Sequence, residues 1–140
     1  MRIIGPSILA LLLATTLLAA DDTLLASIAN LATALSENDP DAALRVFNSD
    51  MKDYGAIEAR IEALAAQAEV SCAIDIVTDE ESDGFHKLDL DWFMELKSQG
   101  DIPQIERRRE RVHAEMRQIK GSWKITAISP LSILDPINIR

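Results

Sequence analysis

The residues of this chain with the most chemistry to offer are few. They are two histidines, His86 and His113, one tyrosine, Tyr54, one cysteine, Cys72, and the triplet Arg107-Arg108-Arg109. A metal site or an acid–base pair needs such groups to converge, and nothing in their spacing clusters them, so neither a metal nor a cofactor is expected. Cys72 alternates with Val70, Ile74 and Ile76 and reads as a small buried hydrophobe rather than a reactive thiol; alone, it forms no internal disulfide. The acidic stretch Asp79-Glu80-Glu81-Ser82-Asp83-Gly84 lacks the ordered ligand spacing of a calcium loop and reads as an exposed turn. His86 opens a strand, where a rim or structural histidine fits better than a general base. Tyr54 heads a helical stripe, from which its hydroxyl could reach a pocket mouth.

The elements that must position these groups follow from hydrophobic period. From Asp22 to Asn38 the residues Leu24, Ile28, Leu31 and Leu35 recur at helical spacing. Asn38-Asp39-Pro40 ends that helix and starts a second, with Asp39 as cap, Pro40 at the first helical position, and Ala43, Val46, Phe47 and Met51 inward. Tyr54, Ile57, Ile61, Leu64 and Ala68 mark a third helix. At Val70 the period changes to two and the first strand begins. A second strand, Phe85 to Ser98, puts His86, Leu88, Leu90, Trp92, Met94 and Leu96 on one face. A third sets Val112, Ala114 and Met116 inward, and a turn at Gly121-Ser122 leads into a fourth carrying Trp123, Ile125 and Ala127. Helices first and consecutive strands last predict an α+β domain, three N-terminal helices packed on a strongly bent antiparallel sheet of about four long strands.

The charged parity of the middle strands predicts their register. With opposite residue numbers summing to 202, Lys87 faces Glu115, Asp89 faces His113, Asp91 faces Arg111 and Glu95 faces Arg107, while Phe93 lies beside Arg109 within reach of a cation–π contact. This ladder accounts for Arg107 and Arg109 without an anion site; Arg108, on the other face, has no partner in it. The turn at Gly121-Ser122 would align Gln118 with Ile125, Met116 with Ala127 and Ala114 with Ser129.

The order of elements, the strand pair Arg111-Val112-His113-Ala114-Glu115-Met116-Arg117 and Gly121-Ser122-Trp123-Lys124-Ile125, and the closing Ile128-Ser129-Pro130 together resemble the nuclear transport factor 2-like superfamily. The resemblance spans about Asp22 to Pro136. It implies a cone of helices within a curved sheet and a pocket, and no particular reaction, since the superfamily holds isomerases, dehydratases, hydrolases and cyclases beside noncatalytic binding domains. The inner strand positions are almost wholly apolar, and no catalytic dyad of the family can be carried onto them. The expected function is therefore noncatalytic binding of a small apolar ligand or a protein partner, with Tyr54, His86, Trp92 and Met116 as ligand-binding residues. A lyase, isomerase or hydrolase using His86, Tyr54 and Asp50 or Asp53 is the alternative, and a dimerisation module joined through the charged sheet face is a third reading.

Compartment comes from the first twenty residues. Met1-Arg2, the uncharged run Ile8 to Leu18, and Ala19-Ala20 before Asp21-Asp22 have the layout of a secretory signal peptide, so residues 1–20 are expected to be cleaved and residues 21–140 to form one exported domain, periplasmic or extracellular. The alternative is a membrane anchor formed by residues 3–20. Removing residues 1–20 makes the formal charge of −9 one unit more negative, which argues against nucleic acid or anionic membrane as a partner.

Overall fold

The computed structural model describes residues 23–138, so the expected signal peptide lies outside the described residues. Helix α1 spans Leu24–Ser36, capped by the Thr23 hydroxyl, which accepts from the Ala26 amide at 3.1 Å. Its stripe Ile28, Leu31, Ala34 and Leu35 is buried. Asn38, at φ 53, reverses the chain in a left-handed conformation that asparagine tolerates. Helix α2, Pro40–Leu44, begins as the sequence predicts, with Asp39 Oδ1 accepting from the Ala42 amide at 3.1 Å. It stops after five residues, earlier than the inward set Val46, Phe47 and Met51 suggested. The chain straightens there because its backbone finds a partner across the sheet edge, with Ile125 N–H donating to the Val46 carbonyl at 2.8 Å and Asn48 N–H to the Ile125 carbonyl at 2.9 Å. Helix α3, Tyr54–Gln67, buries Ile57, Ile61 and Leu64 and passes directly into the sheet. None of the described helices is long and apolar enough to cross a membrane.

Strands β1 (Ala68–Ser82), β2 (Phe85–Ser98), β3 (Ile105–Ile119) and β4 (Ser122–Ser129) form one antiparallel sheet in sequence order. The β2–β3 register is the expected one, with Lys87 opposite Glu115, Asp89 opposite His113 and Glu95 opposite Arg107. Three local expectations are corrected. The acidic stretch is strand through Ser82, and the turn shrinks to Asp83-Gly84, at φ 51 and 84. The β3–β4 turn is Lys120-Gly121, at φ 54 and 85, so Gln118 faces Trp123 and Met116 faces Ile125. A two-residue hairpin of this hand needs positive φ at both central positions, which selects Gly121 as the second of the pair rather than the first. A bulge then inserts Thr126, so Ile128 turns inward and Ala127 outward.

The concave face of the sheet wraps the helices as an α+β cone. Leu31, Ile57, Leu90, Trp92, Met116 and Ile125 are all fully buried between the layers, while Ile74 is only partly covered. After β4 a short 3₁₀ turn, Ser132–Leu134, returns beneath the sheet and adds Ile133 and Leu134 to the core. Arg108 explains why it stays there. Its guanidinium donates to the Ile133 carbonyl at 3.0 Å, to the Asp135 carbonyl, and to the Pro136 carbonyl at 3.4 Å, while pairing with Glu106. The arginine triplet thus alternates between two jobs, Arg107 and Arg109 on the outer ladder and Arg108 inside as the clamp on the C-terminal strap.

Candidate functional site

The interior of the cone is lined by apolar side chains, with Trp92 and Met116 fully buried among them; a small cleft of about 10 Å³ lies at the end of the helices, between Leu35, Asn38, Pro40, Ile61 and Val70. Cys72 belongs to the same layer, and burial pushes its thiol up to about 12. Substantial cavities open elsewhere, on the outside of the sheet and beside α2.

His86 sits at the end of the inner face with partners that period alone could not supply. A bulge at Val77 shifts the pairing from Ile76 with Leu90 to Thr78 with Asp89, which carries Asp79 and Glu81 to the inner face. His86 Nδ1 lies 2.6 Å from Asp79 Oδ1, and its Nε2 lies 3.2 Å from Glu81 Oε2. The Trp123 ring stands edge-to-face against it, centroids 5.0 Å apart at 89°. With Asp79 on Nδ1, Glu81 beside Nε2 and Trp123 against its ring, His86 ties the end of the β1–β2 hairpin to β4.

The same bulge builds a second cluster on the outer face. Thr78, Asp89, His113 and Ser129 fall in one row across all four strands. Thr78 Oγ1 donates to Asp89 Oδ2 at 3.1 Å, and His113 Nδ1 bonds to Asp89 Oδ1. The His113 hydrogen bond, followed by that of Thr78, holds the Asp89 carboxyl below its usual range. Without the bulge, Val77 would stand where Thr78 does. The next row holds Glu80, Lys87, Glu115 and Ala127. Both rows floor a groove of about 570 Å³, walled by Lys52 and Asp53 from the loop before α3. Because Asp89 occupies Nδ1, the His113 ring presents Nε2 to this groove, and the side chain is 65% exposed.

Further along the outer face, Arg109 does not stack on Phe93 as expected. Its guanidinium reaches diagonally to Asp91, with Nε to Oδ1 at 3.1 Å and Nη2 to Oδ2 at 2.7 Å, because a two-pronged charged hydrogen bond outweighs an exposed cation–π contact. The cations over an aromatic ring are instead Arg117, 4.5 Å from the Phe85 centroid, and Lys87 at 5.9 Å.

The constellation His86, Tyr54, Asp50 and Asp53 is not assembled. Tyr54 and Asp50 line a cavity of about 660 Å³ beside α2, Asp53 borders the outer-face groove, and His86 is at the inner end of the sheet. Among the described residues no three His, Cys, Asp or Glu side chains converge closely enough to hold a metal ion.

No protein-family model matches this chain, and no curated protein matches it. Its backbone is similar to solved structures. A conserved protein from Planctomyces limnophilus superposes with a TM-score of 0.68 at 8% identity, over 79% of this chain and 93% of that one. A putative scytalone dehydratase from Novosphingobium aromaticivorans gives 0.66 at 12% identity, over 82% and 84%. A nuclear transport factor 2-like superfamily protein from Salmonella enterica gives 0.63 at 12%, over 73% and 82%. At these identities the likeness carries the fold alone, the nuclear transport factor 2-like cone.

Proposed function

We propose that the chain is a noncatalytic binding domain whose ligand lies outside the cone, in the groove on the outer face of the sheet, and is small and polar. One contrast carries this reading: the inner face presents side chains that are closed off from solvent, whereas a groove of about 570 Å³, of the size that small-molecule sites occupy, opens over Thr78, Asp89 and His113. Its lining mixes Met51, Leu88 and Ile128 with Lys52, Glu80, Lys87 and Glu115, so a ligand needs polar groups to replace the water those charges lose. A ligand carrying both a donor and an acceptor does suit it, with His113 Nε2 as the central contact.

The test is an NMR titration of labelled protein with a panel of small carboxylates, amines and amino acids. Shifts are expected at Ala114, Glu115 and Ala127 and at the His113 ring, with the Trp92 indole silent, and they should disappear in His113→Ala. Shifts centred on Trp92 and Met116 would place an apolar ligand in the cone and reject the reading. So would sedimentation showing a dimer with His113 shielded, since a second copy would then cover the groove.

One observation favours a second reading. The Asp89–His113 pair has the arrangement of an oriented general base, with a carboxylate on Nδ1 and a free Nε2. If His113→Ala hydrolyses p-nitrophenyl acetate as fast as the unaltered chain, and neither dehydrates a β-hydroxy ketone, that reading is lost.

A further inference from the structure

Two open grooves lie against the surface made by α1, α2 and the start of β4. The first, about 400 Å³, is lined by Asn30, Thr33 and Glu37 of α1, by Arg45, and by Ser122 and Trp123. The second, about 660 Å³, is lined by Asp41, Asp50, Tyr54, Glu58 and Lys120. Both include Arg45, Ser122 and Lys124, so they meet at one ridge, where Lys124 Nζ donates to the Arg45 carbonyl. The result is a trough with one partly exposed aromatic ring in each half, Trp123 in the first and Tyr54 in the second. Trp123 is held in place, since Ser27 Oγ donates to its carbonyl at 3.2 Å and His86 abuts its ring. A ligand stacking there need not pay to order it.

The lining chooses among ligand classes. An apolar molecule would strand the hydroxyl, amide and charged groups without partners. A polyanion would meet the carboxylates of Glu37, Asp41, Asp50 and Glu58, and a polycation would meet Arg45, Lys120 and Lys124. A neutral chain of hydroxyl groups can use either sign, donating to the carboxylates and accepting from the cations, while Asn30, Thr33 and Ser122 do both. Its C–H faces pack on aromatic rings, whose flat apolar bodies lie beside polar surroundings. We propose that the trough across α1, α2 and β4 binds a neutral oligosaccharide, with Trp123 and Tyr54 as stacking platforms and Asn30 and Arg45 as its principal hydrogen-bonding contacts. It shares no lining residue with the outer-face groove, so the two readings stand or fall separately.

The test uses the labelled chain and a panel of neutral trisaccharides built from glucose, galactose, mannose and N-acetylglucosamine. Its reporters are the two indole N–H resonances and the Asn30 side-chain amide. At least one trisaccharide should move Trp123 and Asn30 and leave Trp92 unmoved. Asn30→Ala and Arg45→Ala, both at exposed positions, should each weaken binding about tenfold, or about 1.4 kcal/mol, and His113→Ala should not weaken it. The proposal is overturned if no trisaccharide shifts Trp123 at concentrations on the order of 50 mM, well above the millimolar range of weak specific binding. It is overturned equally if a hexaglutamate peptide produces the same shifts, or if both alanine variants bind as tightly as the unaltered chain.

Discussion

Replacing Arg108 by methionine isolates the clamp on the C-terminal strap, because methionine keeps most of the aliphatic packing and removes only the guanidinium. The Arg108 side chain is 13% exposed and serves the carbonyls of Ile133, Asp135 and Pro136 as well as Glu106. Hydrogen bonds to a charged donor contribute about 1.5–3 kcal/mol each when well sheltered, and here water can replace some of them at the Glu106 side, so the expected loss is about 3 kcal/mol. Arg107, its neighbour on the opposite face, is 65% exposed and pairs with Glu95 at 3.0 Å. Arg107→Met should therefore cost at most about 1 kcal/mol.

Urea denaturation followed by tryptophan fluorescence separates the two. With a slope of about 2 kcal/mol per molar, the midpoint should fall by about 1.5 M in Arg108→Met and by about 0.5 M or less in Arg107→Met. Leu134→Ala, which empties a fully buried position on the same strap, should cost about 2–5 kcal/mol. The double variant with Arg108→Met should lose less than the two together, since both act by releasing one segment. Equal midpoint shifts for Arg107→Met and Arg108→Met would refute the reasoning, as would strict additivity with Leu134→Ala.

Two further outcomes are expected. Asp91 is held below the usual aspartate range by its hydrogen bonds from Arg109, so the stability this pair adds is present above the ordinary value of 3.8 and is lost as pH falls through the lowered folded value; the gap between the unaltered chain and Asp91→Asn in thermal melts should be steady at neutral pH and close below about pH 4, and a gap that widens with acid would contradict the pairing. Lys120 occupies a left-handed position at φ 54 that asparagine or glycine adopts more readily, so Lys120→Asn should raise the melting temperature, by about 0.5–1 kcal/mol of stability, and a lower melting temperature would show the turn to be of another kind.

Amphipathic period, capping residues and cross-strand charge were enough to read the helices, the strand order, the β2–β3 register and most of the core from the chain alone. These depend on neighbours a few residues away, or on charge patterns that repeat along a strand, and both leave a periodic trace. The sites left no such trace. Asp79, Glu81 and Thr78 reach their faces only because Val77 is squeezed out of the ladder, and Ile128 is buried only because Thr126 is; a bulge costs one residue of register and looks, in sequence, like an ordinary strand. His113 was legible as the partner of Asp89 and not as part of a groove, since the wall that makes the groove comes from Lys52 and Asp53, remote in sequence. Arg108 had no reading at all until the strap it holds came back beneath β3. The layer order and the apolar face of each element can be read from the residues alone, because the hydrophobic effect acts on composition and period. The burial of Ile133 and Leu134 beneath the sheet, and the grooves over His113 and beside α2, come only with the tertiary structure, because they depend on how distant segments meet.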